Sequence, residues 1–579
     1  MDDRWFTDYT PNPRWPHQTR ANAGEVIPTP QSPLCQKFAW DNGIIHGAAL
    51  GSVRTGLYEL EEYDSEIPEI YGVYGGYFYI NLSTIRMQAV RNPGITVEQL
   101  DLAFFGDHPD VPAYVEHPDD QKPHLLPKIE AHVAWVMSTS EWPQLDDDRA
   151  VANALRDGRP DLAELSDAAL LERARSAQPL LVEMFSQHFV SSSSSGMAPA
   201  MLAAVGAAVD DPSVPMRLLA GLGDVDSAAP SYALWEMSRI VRASPEMTAA
   251  FDAGLEGLLD RLETVSEWSQ LQPLWEGFIR EFGSRGPNEW EFSAPTWETR
   301  PELALAAVDR VRHQEDDQAP QLRAEQLAGE RRQLVAEMRE RLDALGDEEL
   351  SGMFEAALVG GNMMIFRERT KTTIVKVVHE CRMVFLELGR RHYESGMIRD
   401  REHIWMLTDA ELENFIASPG EFTDLLAERY EAWLELWDLE PPFIIADARV
   451  PPLNQWPRRS EVSATVAAKG ETLVGVSGSP GTIRGRARIV LDPGDPGGLG
   501  PGDIMVAPLT DPAWTPLFMA VDGVIVNVGG QISHAIIVSR ELGLPCVVSV
   551  EDATKRIPDG SIVEIDGTAG TVTVVDVPL

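Results

Sequence analysis

The chain is short of cysteine, of basic residues and of long apolar runs, and each shortage excludes a class of function. Its three cysteines, Cys35, Cys381 and Cys546, lie far apart without metal-ligand spacing, so neither a disulfide framework nor a zinc site is expected. No apolar stretch reaches membrane-spanning length, and the N-terminal MDDRWFTDYT lacks a basic segment followed by an apolar run. A cytoplasmic protein without membrane partners is therefore expected. With 48 basic residues against 90 acidic ones, the formal charge of −42 opposes unspecific binding to nucleic acid or an anionic membrane. A glycine-rich phosphate loop followed by lysine is also missing.

What the chain does have is length and patterning. Its 579 residues, 44% of them hydrophobic, suffice for two to four domains. Between residues 20 and 139, runs such as YGGYFYINLST mix with Pro, Gly and helical stretches and predict an α/β region. From there to about residue 449, apolar residues at helical spacing dominate, as in DLAELSDAALLERARSAQPLLVEMF. The run Ser191–Ser195 before Gly196 reads as a loop between helices. Residues 450–470, with PPLNQWPRR and SATVAAKG, read as a linker. Residues 471–579 then show short β-rich runs between DPGDPGG, PDG and DGTAG turns, a compact β/α domain.

Within that last domain, GGQISHAIIVSRELG places His534 in the first turn of a helix that should stop at Gly543. The free N–H groups and positive dipole end of a helix stabilise a dianion there and keep an imidazole neutral and nucleophilic. His534 is thus suited to carry a phosphoryl group. Gly529 and Gly530 give the backbone room to turn and to approach a phosphate, and Ser533 can donate a hydrogen bond to the transferred group. The alternative is a glycine hairpin leading into a surface helix. A second locally basic stretch, GGNMMIFRERTK with Lys376 beyond it, sets Arg367 and Lys371 four residues apart on one helix face, a pair able to grip phosphate. Here the alternative is an exposed face with Glu368 as ion-pair partner. As a general base for a hydroxyl acceptor, His46, His379 and His392 are available by type only. The runs YGVYGGYFY and NMMIF suit either an apolar pocket or core packing.

From Gly475 to Val575, the motifs GSPGTIRGRARIV, PGDIMVAPLTDPAWTPLF, the histidine segment and IPDGSIVEIDGTAGTV follow one another in order. Together they resemble the mobile phosphohistidine domain of the phosphoenolpyruvate-utilising enzymes, most closely the rifampin phosphotransferase group. One departure is Ile532, where the family often has a regulatory hydroxyl residue two places before the histidine. The resemblance implies that Arg367, Glu368 and Lys371 form the family's Arg-Glu-x-x-Lys motif beside the transferred phosphoryl group, with SGMIRDREHIWMLTDAELE following in register. RANAGEVIPTPQSPL resembles the start of the substrate domain, and FGSRGPNEWEFSAPTW its glycine-arginine-glycine loop, with Ser284 where relatives often have histidine. In that loop Arg285 and Glu289 are weak substrate-binding candidates, as is His379, and a structural ion pair is the plainer reading of the first two.

The fold expected is therefore multidomain α/β: a large, mainly helical acceptor-binding domain over 1–449, linked through 450–470 to a small swivelling phosphohistidine domain. The resemblance also implies Mg-ATP bound on a separate ATP-grasp subunit, whose β-phosphoryl passes to His534 and then to a hydroxyl, giving AMP and phosphate. No ATP-grasp region is recognised ahead of Arg20 and no phosphoenolpyruvate barrel after the histidine domain, so pyruvate is not the expected acceptor. The resemblance to split systems such as phenylphosphate synthase implies a small phenol or aromatic alcohol instead. The alternatives are a rifampin-like antibiotic acceptor, or a phosphocarrier that serves no acceptor.

Overall fold

The computed structural model describes residues 3–578 apart from 93, 106–107, 224, 227, 462–463, 494–495, 512–513 and 531–532. Ile532 lies outside the described residues. Two compact units divide the chain, and neither is continuous in sequence. Residues 1–194, 290–294 and 369–462 form the first, and residues 195–289, 295–368 and 463–579 the second. The architecture is multidomain α/β with helices in the majority.

The first unit contains a four-stranded sheet in the order β2-β3-β1-β4, built from β1 (Gln18–Thr19), β2 (Tyr71–Tyr74), β3 (Tyr77–Asn81) and β4 (Ile444–Ile445). Tyr74 and Tyr77 pair across a turn whose Gly75 and Gly76 take positive φ, which explains the glycine pair inside an aromatic run. Cys35–Ile44 form a ten-residue π-helix that continues into the helix Ile45–Arg54. That helix packs against the longer Asp167–Ser194. The approach is so close that a Cβ on Gly47 would stand 2.4 Å from the Val182 carbonyl oxygen.

Ser191–Ser194 belong to the helix Asp167–Ser194, not to the loop that their composition suggests. Serine is a poor helix former because its hydroxyl competes for backbone groups. In this helix that tendency is absorbed, since Ser191 donates to the carbonyl of His188 at 3.0 Å and Ser193 to that of Val190 at 3.2 Å.

The second unit carries an eight-stranded sheet in the order β5-β12-β11-β7-β8-β9-β10-β6. Its strands are β5 (Thr472–Val474), β6 (Val476–Ser479), β7 (Thr482–Ile489), β8 (Asp503–Ala507), β9 (Gly523–Val526), β10 (Cys546–Val548), β11 (Ile562–Asp566) and β12 (Thr571–Asp576). Strands β7 to β10 run parallel, and every residue of β8 and β9 is buried, as expected for strands covered on both faces. In β11 and β12, Val563, Ile565, Val572 and Val574 alternate inward, the period of a half-buried antiparallel pair. The helical remainder of this unit packs its own apolar clusters, one around Trp275, Phe278 and Trp297 and another around Leu334, Met338 and Phe354. Among the described residues no helix is long and apolar enough to cross a membrane.

Candidate functional site

His534 opens the helix His534–Leu542, with Ser533 in extended conformation at the N-cap and Gly543 closing it at φ 60°. The imidazole stands between two threonines. Nδ1 lies 3.2 Å from Thr510 Oγ1, and Nε2 lies 3.2 Å from Thr515 Oγ1. The Phe518 ring meets it edge-on, with centroids 6.0 Å apart. Thr510 and Thr515 are buried and the imidazole is only part-buried. A ring so held is fixed in orientation and stays partly exposed. These threonines flank the DPAW segment, and nothing in sequence periodicity marks them as neighbours of the histidine.

The two glycines play different parts. A Cβ on Gly529 would stand 2.9 Å from Val548 Cβ and 3.2 Å from Ser533 Oγ, so this position requires glycine for space. At Gly530 a Cβ would meet nothing within 4 Å. Neither has positive φ, so the sharp left-handed turn that a glycine pair suggests is not made here. Ser533 is buried, and its Oγ has no hydrogen-bond partner among the described residues.

A second loop of the same unit reaches this site. The Asn288 N–H donates to Asp511 Oδ2 at 2.9 Å, and Asp511 follows Thr510 directly. Asn288 takes φ 52° to do so. One residue further, Glu289 accepts from Arg285 Nε at 2.6 Å, with both side chains fully buried. Burial works against the Arg285 charge, yet the Glu289 carboxylate, aided by Glu368 and Asp226, carries the guanidinium above its ordinary value. Ser284 beside it is buried, with no partner for its hydroxyl among the described residues.

Arg367, Glu368 and Lys371 all lie on one helix, Asn362–Glu394. Its residues up to Glu368 count with the second unit and those from Arg369 with the first. Arg367 lies 3.5 Å from the Glu368 carboxylate, and both Arg367 and Lys371 are part-buried. Lys376 is fully buried and donates to Asn153 Oδ1 at 2.8 Å. The histidines nominated by type are placed in the first unit. His379 is fully buried with Nδ1 3.0 Å from Arg382, whose guanidinium also donates to the Glu291 and Phe292 carbonyls. His392 Nε2 lies 3.0 Å from Asp167, and burial lowers its pKa. His46 is part-buried on Ile45–Arg54. The cysteines are all buried and free, and no cluster of metal-ligating side chains occurs among the described residues.

Comparison with known proteins finds similarity at this site. Residues 499–570 match the mobile domain of the PEP-utilising enzymes, and residues 188–368 match the rifampicin phosphotransferase fourth domain. The chain thus holds two stretches that are similar to domains of phosphoenolpyruvate-utilising enzymes. Among the relatives are several rifampicin phosphotransferases. The Streptomyces sviceus protein of that name is 31% identical over 363 residues, which is 61% of this chain and 40% of the relative. Rifampicin phosphotransferase of Bacillus subtilis is 26% identical over 59% of this chain and 39% of its own length. Chondramide synthase of Chondromyces crocatus is 29% identical over 63% of this chain and 10% of its own. The chain spans about 40% of the length of the rifampicin phosphotransferases it matches.

Proposed function

We propose that the chain is the acceptor-binding and phosphohistidine part of an ATP-dependent phosphotransferase. The observation that carries this reading is His534 itself, at the first turn of a helix and held between Thr510 and Thr515. An ATP-grasp unit on a separate subunit binds Mg-ATP and passes the β-phosphoryl to His534, and the γ-phosphoryl goes to water. The 471–579 domain then swings about the 450–470 linker. Arg367 and Lys371 neutralise the phosphoryl group as an acceptor oxygen attacks, a task of positioning and charge stabilisation. The products are AMP, inorganic phosphate and a phosphorylated hydroxyl compound, made in the cytoplasm.

For the acceptor, a small phenol or aromatic alcohol agrees with the family's split systems. The relatives named rifampicin phosphotransferase favour a macrocyclic antibiotic hydroxyl instead. One experiment tests the route and separates the acceptors. The protein is incubated with radiolabelled phosphoramidate, a small donor that phosphorylates histidine without a partner subunit, and then with phenol or rifampin. Label is expected on His534 and then on one acceptor, and His534→Ala is expected to abolish both. Full transfer by His534→Ala would end the shuttle reading. Label that stays on His534 with every acceptor would identify a phosphocarrier.

A further inference from the structure

A base for the acceptor hydroxyl is missing from the route above, and the histidines first considered are poorly placed for it. His379 is fully buried against Arg382, and His392 is engaged with Asp167. His188 is placed differently. It lies six residues before the end of the helix Asp167–Ser194, part-buried, at the centre of a group of hydroxyls. Its Nδ1 is 3.0 Å from Thr370 Oγ1, and its Nε2 is 3.3 Å from Ser192 Oγ. Thr370 Oγ1 is in turn 3.2 Å from Ser191 Oγ. Thr370 immediately precedes Lys371 in the Arg-Glu-x-x-Lys motif, so the imidazole contacts the motif directly.

A second observation concerns the wall beside it. The His188 ring meets Phe185 and Trp290, with centroids 5.2 and 6.0 Å away, and Trp290 continues into Trp40 at 5.9 Å. Both indoles are 3% exposed, and neither Nε1–H has an acceptor among the described residues. Orphaned donors buried at this depth are rare, because each costs a desolvation penalty that nothing returns. Packed aromatic rings thus back the part-exposed imidazole and fix it beside the motif.

We infer that His188, backed by Phe185 and Trp290 and in contact with Thr370 of the motif, is the catalytic base of the acceptor half-reaction. The inference rests on the phosphotransfer reading. In the step it serves, the acceptor O–H bond breaks and its proton goes to His188, making an imidazolium. The acceptor oxygen bonds to phosphorus as the P–N bond of phospho-His534 breaks, its electron pair staying on the His534 ring. His188 then returns its proton to water, and His534 takes one up.

The test separates the two half-reactions. His188→Gln keeps a hydrogen-bonding side chain of similar size. It is expected to load phosphoryl from phosphoramidate onto His534 at the wild-type rate and to melt at the wild-type temperature. Transfer from phospho-His534 to phenol is expected to fall about 100-fold, the low end of what general base catalysis supplies. The pH profile of transfer should also lose the limb that titrates between about pH 5 and 8. Transfer at the wild-type rate with the limb intact would overturn the inference. If phenol accepts nothing, the phenolic reading fails, and hydrolysis of phospho-His534 decides the base separately. Hydrolysis slowed by His188→Gln supports it, and an unchanged rate removes it.

Discussion

At the scale of single residues, the His534 ring is held by two hydroxyls as well as by the helix that carries it. A neutral imidazole has one donor nitrogen and one acceptor nitrogen, and a threonine hydroxyl can serve either. Thr510 and Thr515, at 3.2 Å on each side, can therefore satisfy either tautomer of the ring. A neutral hydrogen bond contributes about 1 kcal/mol net, which corresponds to roughly a fivefold change in a rate that depends on ring orientation. Thr510→Val is accordingly expected to slow loading of His534 from phosphoramidate about fivefold with little change in melting temperature. The pair Thr510→Val and Thr515→Val should slow it further, and loading at the wild-type rate in that double variant would show that the threonines do not position the ring.

At the scale of elements, the loop from Gly283 to Glu289 does work that its sequence only hints at. Arg285 and Glu289 form a fully buried ion pair that stiffens the loop, and Asn288 between them reaches Asp511. Removing one partner of such a pair strands the other charge, at a cost of about 3–5 kcal/mol, whereas replacing both by apolar residues is often close to neutral. Arg285→Ala should therefore destabilise the protein by that amount in urea titration, and Arg285→Met with Glu289→Leu should recover most of it. A double variant as unstable as Arg285→Ala would refute this account. The ion pair agrees with the structural reading of the loop, and the helix His534–Leu542 with its stop at Gly543 was legible because a local pattern sets it. The π-helix Cys35–Ile44 and the helical serines Ser191–Ser194 were not legible, because packing overrides local preference in both. His188 was missed for a related reason. Its partners Thr370 and Trp290 are far off in sequence, and no periodicity links them.

At the scale of the whole molecule, an acidic chain is expected to respond to pH, and one carboxylate in the second unit gives that response a direction. Glu541, on the helix that begins with His534, is pushed up to about 7 by burial, against the pull of the Leu222 N–H, Arg331, the Gly221 N–H and Arg540. Released into water, the same carboxyl returns to about 4.5, its ordinary value. Below that pH both states are protonated and the seated helix keeps its full stability. As pH rises from about 4.5 to 7 the released state sheds a proton that the seated state retains, so seating is weakened. By pH 7 the loss is on the order of 3 kcal/mol, at about 1.4 kcal/mol per pKa unit. Release of the helix His534–Leu542 from Gly221 and Leu222 should thus become easier toward neutral pH. Amide hydrogen exchange at Gly221 and Leu222, corrected for intrinsic rates, is expected to show protection falling between pH 5 and 8. In Glu541→Gln, which cannot ionise, the fall should disappear. Equal slopes in the two proteins would mean that another group governs the seat.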